Sequence, residues 1–396
     1  MKKAIIFLLS VSLLFGLCSC QSEEPDLKEK YGENYKRENT VADQSNLYGI
    51  GHLGWSGYRW SGIDYEMTTQ LIENLGAKSV RNWMHCNWIM NSPTELNQTE
   101  YETMKDIVGE LTDRGFQVIG LNHSNFNASG ANGAKPRRDL EDGSEYMEWL
   151  EDYETTWYTM ASAFPEILYW EIDNECNSDV FMVPYDGGKF TTEEKAAIYT
   201  DMMYFASRGI HRANPDANTV MGGLVTSNAA YFLELIYDNI FAEDSWSPYP
   251  DDYFQIAAWH PYCTFNEARF ISDNEYIYDV IKTREGKDKK VFFTELGWSE
   301  YGTNIDEICT SIEGVYSTVK ESLPFVESIH YFRMWDDYAN TWGSDAENYF
   351  GLFYDPFQPN TKDPTIVKGA PKKSAETYQR IAGGTGSLHL AEYDGE

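Results

Sequence analysis

Two glutamates stand at the ends of predicted strands where chemistry could use a carboxylate. Glu175 closes the run Ile167-Leu168-Tyr169-Trp170-Glu171-Ile172-Asp173-Asn174-Glu175, and Glu295 follows the apolar run Val291-Phe292-Phe293-Thr294. A carboxylate ending an apolar segment costs free energy unless it has a partner or a role. Breaking an acetal bond requires two such groups, an acid that protonates the leaving oxygen and a carboxylate that faces the developing oxocarbenium ion. A separation of about 5–5.5 Å gives retention of configuration, and about 6.5–9.5 Å gives inversion. Strand alternation sets Glu171, Asp173 and Glu175 on one face, with Glu175 outermost.

For these glutamates to meet, two strands must bring their C-terminal ends together. Short apolar runs at Leu47–His52, Lys78–Trp83, Gln117–Asn122, Ile167–Asp173, Thr219–Gly223, Phe254–Trp259, Lys290–Thr294 and Ser328–Arg333 read as strands. Amphipathic patterns at Asp64–Leu75, Glu100–Arg114, Glu145–Ala163, Thr192–Ala213, Ala229–Phe241, Asn274–Arg284, Ile305–Glu321 and Pro371–Ile381 read as helices. Eight strands alternating with eight helices, with no Gly-rich phosphate turn after the first strand, predict an α/β chain folded as a single (β/α)8 TIM barrel. Long loops are expected after strands 3, 4, 5 and 8, at the face where such barrels carry their sites.

The runs Trp170-Glu171-Ile172-Asp173-Asn174-Glu175 and Phe292-Phe293-Thr294-Glu295-Leu296-Gly297-Trp298 resemble the strand-4 and strand-7 signatures of the clan A glycoside hydrolases, with families 39 and 5 the nearest. The resemblance spans Leu47 to Ala382 as motifs in matching order. It departs at Cys176, where proline usually follows the acid/base, and at Asp173, where an aromatic is common. It implies retaining double displacement, with Glu295 as nucleophile and Glu175 as acid/base. It also implies that Arg81 holds Glu295 ionised and that Tyr262 of His260-Pro261-Tyr262 hydrogen-bonds it. Asn174 would contact the sugar 2-hydroxyl and Trp335 would floor the cleavage subsite. Arg81 could instead pair with Glu171 or Asp173. His123 and His260 read as substrate ligands or as hydrogen-bonders behind them, and His52 as more open still. Trp55, Trp60, Trp88, Trp298 and Trp342 read as sugar platforms or as packing.

The ends and composition bound the setting. Met1-Lys2-Lys3 followed by the apolar run Ala4–Leu17 reads as a signal peptide over residues 1–19, and Leu17-Cys18-Ser19-Cys20 resembles a bacterial lipobox. Cys20 would carry lipid, and residues 20–44 would form a flexible tether that opens with an acidic tract resembling the export tracts of Bacteroidetes lipoproteins. The barrel would occupy 45–382, and a Gly-rich tail 383–396. This places the chain as an exported lipoprotein on the outer membrane or surface of a Gram-negative bacterium, with the periplasmic face an alternative. With 31 Lys+Arg against 63 Asp+Glu, nucleic acid and anionic membrane are excluded as partners. An anionic polysaccharide would fit only if Arg59, Arg137 or Arg269 collect locally. The 12 Trp, 28 Tyr and 20 Phe suit stacking on sugar faces. Cys86, Cys176, Cys263 and Cys309 match no zinc spacing and are expected to be mostly free thiols. The partner is then a poly- or oligosaccharide, the chain a monomer held to the membrane only through its lipid, and the reaction one that needs neither metal nor cofactor. Two other readings are a glycan-binding lipoprotein without turnover and a metal-dependent barrel hydrolase. The first would give no product on any glycan, and the second would lose activity on chelation.

Overall fold

Strands and helices alternate along the chain as its hydrophobic patterning requires. The computed structural model describes residues 42–53, 65–126, 133–339, 344–360 and 362–389. The elements, in chain order, are β1 (Tyr48–Gly51), α1 (Tyr65–Leu75), β2 (Ser79–Trp83), α2 (Cys86–Ile89), β3 (Met90–Ser92), β4 (Glu95–Leu96), α3 (Gln98–Asp113), β5 (Gln117–Asn122), α4 (Glu145–Ala163) and β6 (Tyr169–Ile172). They continue with α5 (Thr192–Ala213), β7 (Asn218–Met221), β8 (Leu224–Val225), α6 (Ala229–Ile240), β9 (Ala257–His260), α7 (Glu267–Glu285), β10 (Val291–Leu296), α8 (Ile305–Ser322), β11 (Val326–Phe332) and α9 (Lys373–Ala382).

Nine strands form one sheet in the order β7-β6-β5-β2-β1-β11-β10-β9-β8, with parallel pairing throughout. The sheet curls until its ends meet. Val220 of β7 bridges Ile256, and the Met221 N–H donates to the Ile256 carbonyl at 2.9 Å. β7 (Asn218–Met221) is the fifth predicted strand, and β8 is a further short strand that follows Gly222-Gly223, past the predicted end of that strand. The arrangement is an α/β barrel.

Sequence chemistry explains the element ends. Thr191 and Glu194 form a capping box at the start of α5, satisfying two of the donors that a helix start leaves over. Asn266 caps the Arg269 N–H, so α7 begins at Glu267, a full two turns before the apolar pattern becomes legible at Asn274. Gly286, at φ 65°, ends that helix in the left-handed conformation. The loop after β7 is short rather than long, because α6 starts at Ala229. The added length lies after β2, where α2 and the β3–β4 hairpin form an excursion that no strand or helix period had announced.

The core has two layers. Between sheet and helices, outward-facing side chains such as Trp170 pack on the helices, with Trp157 of α4 edge-on at 5.9 Å. Inside the barrel, Ile119, Val220, Ile256, Ala258 and Phe292 form a plug, with Tyr169 against it. Burying each large apolar side chain contributes about 1.5–3 kcal/mol. Polar groups further along the same strands collect at the C-terminal mouth.

Cys86, Cys176, Cys263 and Cys309 are free thiols. Among the described residues no helix is long and apolar enough to cross a membrane. Cys20, the signal peptide and most of the tether lie outside the described residues, as do Trp55, Arg59, Trp60 and Trp342.

Candidate active site

β6 and β10 bring the two glutamates together at the mouth. Oxygen atoms of Glu175 and Glu295 and a ring nitrogen of His260 all lie within 4.8 Å of one another. Strand alternation carries Glu171 to this position but fails beyond it. β6 ends at Ile172, and Asp173 and Glu175 take φ of 65° and 47°. This left-handed backbone is costly for residues other than glycine and persists only where the surroundings enforce it. Here the Glu175 N–H donates to the Gly223 carbonyl at 3.0 Å, and the Gly223 N–H donates to Glu171 Oε1 at 3.0 Å. Gly222 and Gly223 are required by contact. A Cβ on Gly222 would lie 2.4 Å from the Asp173 carbonyl oxygen, and one on Gly223 would lie 2.0 Å from His260 Nε2.

The expectation that Asp173 shares the face of Glu171 and Glu175 is corrected by that turn. Asp173 points to Lys135, whose Nζ lies 2.8 Å away and also donates to the Phe181 carbonyl at 2.9 Å. Burial pushes the Asp173 carboxyl up, against the opposing pull of Lys135. The pair anchors the loop below the site.

Arg81 organises the carboxylates. Its Nε and Nη2 clasp Glu171 side-on at 2.5 and 3.0 Å, Nη1 donates to Glu295 Oε1 at 2.6 Å, and Nη2 also reaches Asn174 Oδ1 at 2.7 Å. Both readings of Arg81 therefore hold for one side chain, as an ion pair with Glu171 and as the cation on Glu295. Tyr262 donates its hydroxyl to Glu295 Oε2 at 2.9 Å. Burial raises the Glu295 pKa, but His260 and Arg81 beside it, with hydrogen bonds from Arg81 and Tyr262, outweigh that and hold it at about 2. Burial and the two site carboxylates push the Tyr262 phenol well above its ordinary range, so it stays a donor. Glu295 is fixed as an anion.

Glu175 has a different environment. Its Oε1 meets His260 Nδ1 at 2.9 Å, and its side chain keeps 22% exposure against 12% for Glu295. His260 is buried, and its Nε2 lies 3.1 Å from Thr294 Oγ1, a contact that holds the ring in place. Glu175, His260 and Glu295 also have donor atoms close enough to share a cation, but Arg81 already supplies positive charge at Glu295.

The remaining expected residues divide. At the end of β11 the ring set against Tyr262 and His52 is Phe332, at centroid distances of 6.4 and 5.4 Å. Trp335, three residues on, is buried and packs on Phe353. Trp298 is also buried, and its Nε1 donates to the Cys263 carbonyl, which makes it part of the wall. His123 stacks on His85 at 4.0 Å and lies beside Trp83 and Phe181, with burial and the Lys135 and Arg81 charges lowering its pKa to about 3. Trp88 lies against Trp83 and His85. Arg137 and Arg269 are exposed and pair with Asp186 and Asp273 rather than with the site. Residues that sequence patterning missed are Lys135, Thr294, Phe332 and Arg333. Thr294 and Arg333 adjoin recognised signals, whereas Lys135 lies in a loop and carries none.

The cellulase family model, glycosyl hydrolase family 5, matches residues 34–324. No curated protein matches in sequence. Among solved structures, a family 39 glycoside hydrolase from the gut symbiont Bacteroides cellulosilyticus WH2 aligns with TM-score 0.61 and 15% identity over 87% of this chain and 65% of that one. This chain thus spans just under two thirds of that structure's length. A broad-specificity family 5 endoglucanase from Clostridium longisporum aligns with TM-score 0.60 and 14% identity over 88% of this chain and 100% of its own. A family 1 β-glucosidase from Thermotoga maritima gives 0.56 and 14% over 88% and 99%. At these identities the likenesses describe the fold.

Proposed function

This chain belongs to the cellulase family, glycosyl hydrolase family 5, and on that premise we propose that it cleaves a β-glycosidic bond in a poly- or oligosaccharide with retention of configuration. It is a glycoside hydrolase of clan A. The observation that carries the mechanism is the approach of the Glu175 and Glu295 oxygens to within 4.8 Å. An approach of that order suits direct attack by a carboxylate.

In this reading Glu295, held ionised by Arg81 and Tyr262, attacks the anomeric carbon and forms a glycosyl-enzyme. Glu175 protonates the leaving oxygen and then, as its conjugate base, deprotonates the water that releases the sugar. His260 bridges the two and positions Glu175. Arg81 occupies Asn174 Oδ1, which leaves the Asn174 Nδ2 to donate to the sugar 2-hydroxyl. Phe332 takes the aromatic place beside the reacting sugar that Trp335 was expected to fill. Proton NMR of the first product tests the proposal. The retained anomer is expected, and first appearance of the inverted one would overturn double displacement.

The export reading stands beside this one. Cys20 carries lipid, residues 1–19 are removed, and residues 20–44 tether a catalytic domain of 45–382 to the outer membrane. The support is the apolar start and the lipobox-like Leu17-Cys18-Ser19-Cys20. Cys20→Ala should abolish labelling by a radioactive fatty acid and release the protein from membranes. Unchanged labelling would remove Cys20 as the anchor.

A further inference from the structure

Directly after β11 the chain places a second arginine at the mouth. Arg333 is 3% exposed, and its backbone is fixed by the Phe350 carbonyl and the Leu352 N–H at 3.2 and 3.0 Å. Its Nη1 approaches His52 Nε2 at 3.5 Å, while Nε and Nη2 have no hydrogen-bond partner among the described residues. The carboxylate paired with it, Asp337, stays 3.8 Å from Nη2, beyond hydrogen-bond length. Burial pulls the Arg333 pKa below the ordinary arginine value, yet guanidinium remains charged at any ordinary pH. A buried donor without an acceptor costs about 1–3 kcal/mol, and more when charged.

The neighbours extend the pattern. Burial and the Arg333 charge lower the His52 pKa to about 3, so its ring is neutral and carries one proton. Guanidinium only donates, so His52 Nε2 accepts and the proton sits on Nδ1, which also lacks a partner. Trp83, edge-on to His52 at 4.3 Å, presents an indole N–H that is likewise unpartnered. Glu295 lies within electrostatic reach of His52, and Glu347 senses Arg333 together with both catalytic glutamates. A charged fork and two neutral donors thus line one wall of the sugar site without acceptors among the described residues.

We infer that Arg333, with His52 and Trp83 beside it, is the recognition site for a sugar carboxylate, and that the glycan carries a uronic acid at or next to the cleaved bond. This rests on the hydrolase reading above. The molecule contains its own template, since Arg81 uses the same Nε and Nη2 edge to clasp the two oxygens of Glu171. A planar carboxylate satisfies that edge twice and neutralises the charge, whereas a hydroxyl does neither. The chain's net charge of −32 repels an extended polyanion, so the acidic unit is isolated within an otherwise neutral glycan.

The test uses full-length Glu295→Gln protein, to prevent turnover, and calorimetric titration with oligosaccharides containing one hexuronic acid, each paired with its carboxyl-reduced counterpart. At least one acidic member should bind roughly 10- to 100-fold more tightly than its neutral partner. Adding Arg333→Met, or Arg333→Lys, which keeps the charge but loses the fork, should bring the pair together. Circular dichroism establishes that each variant is folded, and the lysine variant serves if the methionine one is not. No preference for any acidic member, or equal proportional losses on both members of a pair, overturns the inference. Wild-type hydrolysis of neutral glycans without an acidic preference would overturn it while leaving the hydrolase reading intact. An Arg333-dependent preference in a protein without turnover would do the reverse.

Discussion

Arg81 in β2 and Arg333 just past β11 flank the same central strand, β1, and both are buried at the barrel mouth. Arg81 has Glu171, Glu295 and Asn174 within hydrogen-bond distance. Among the described residues Arg333 has one long contact to a neutral histidine and a carboxylate at arm's length. The same side chain in the same architecture therefore does two different jobs. Where the fold supplies the anions, an arginine is a fixed part of the machinery that holds a nucleophile charged. Where it withholds them, the arginine is a binding group whose partner must arrive with the substrate.

The sharpest way to break the comparison is at Glu295. Glu295→Gln should lower turnover by roughly 10⁴-fold or more while far-UV circular dichroism and melting stay near wild type, because the amide oxygen can still accept from Arg81. Turnover within tenfold of wild type would move the nucleophile elsewhere. Next comes Arg81 itself. Arg81→Met leaves Glu171 buried without its bidentate partner and should cost about 3–5 kcal/mol in denaturant unfolding, besides losing activity. A loss under about 1 kcal/mol would mean that Glu171 is compensated by other groups.

Acid should separate the two walls. His52, His123 and His330 have folded pKa values lowered to about 3, and His85 lies well below its usual value, all chiefly through burial. The unfolded chain takes up these protons near pH 6.5, so it binds more protons than the folded state between pH 6.5 and 3. The stability from the neutral histidines is complete above pH 6.5 and declines as pH falls through that window. Glu295, depressed to about 2 from 4.5, contributes stability that is lost only below pH 4.5. Melting temperature should therefore already fall between pH 7 and 5, and His52→Asn should make that slope shallower. A flat profile down to pH 5 would show that these rings are protonated in the fold. The smallest effect is expected at Arg333. Arg333→Met removes a charge with little compensation and should leave stability within about 1 kcal/mol of wild type, or above it. A loss of 3 kcal/mol or more would make Asp337 a full partner and erase the contrast with Arg81.

Much of this was legible in the chain because each signal is local. The limits of α4 and α5 follow from Ser144 and Thr191 caps before amphipathic runs, and they match the residues expected. Glu295 stood out because it ends an apolar strand, and Glu175 because alternation sets it outermost on the face of Glu171. Local reasoning failed where the backbone left its period. Two left-handed residues after Ile172 turn Asp173 away to Lys135, a residue 38 positions earlier with no sequence signal of its own. Sequence alone does not separate Phe332 from Trp335, because a strand-8 aromatic looks alike at several positions, and only packing shows which ring meets Tyr262.

Residue type and spacing by themselves pointed to the barrel and made Glu175 and Glu295 candidates, since periodicity and the cost of charge in an apolar run are properties of short segments. The roles of the two came from the resemblance of their motifs. Closure of the sheet decided the rest. It set which of Arg81's donors meet Glu171 and which meet Glu295, and it brought His260 between the glutamates while leaving Arg333 without a hydrogen-bonded carboxylate among the described residues. Those outcomes depend on distances between residues far apart in the chain, and angstrom-scale distances govern both hydrogen bonding and the balance between desolvation and charge pairing.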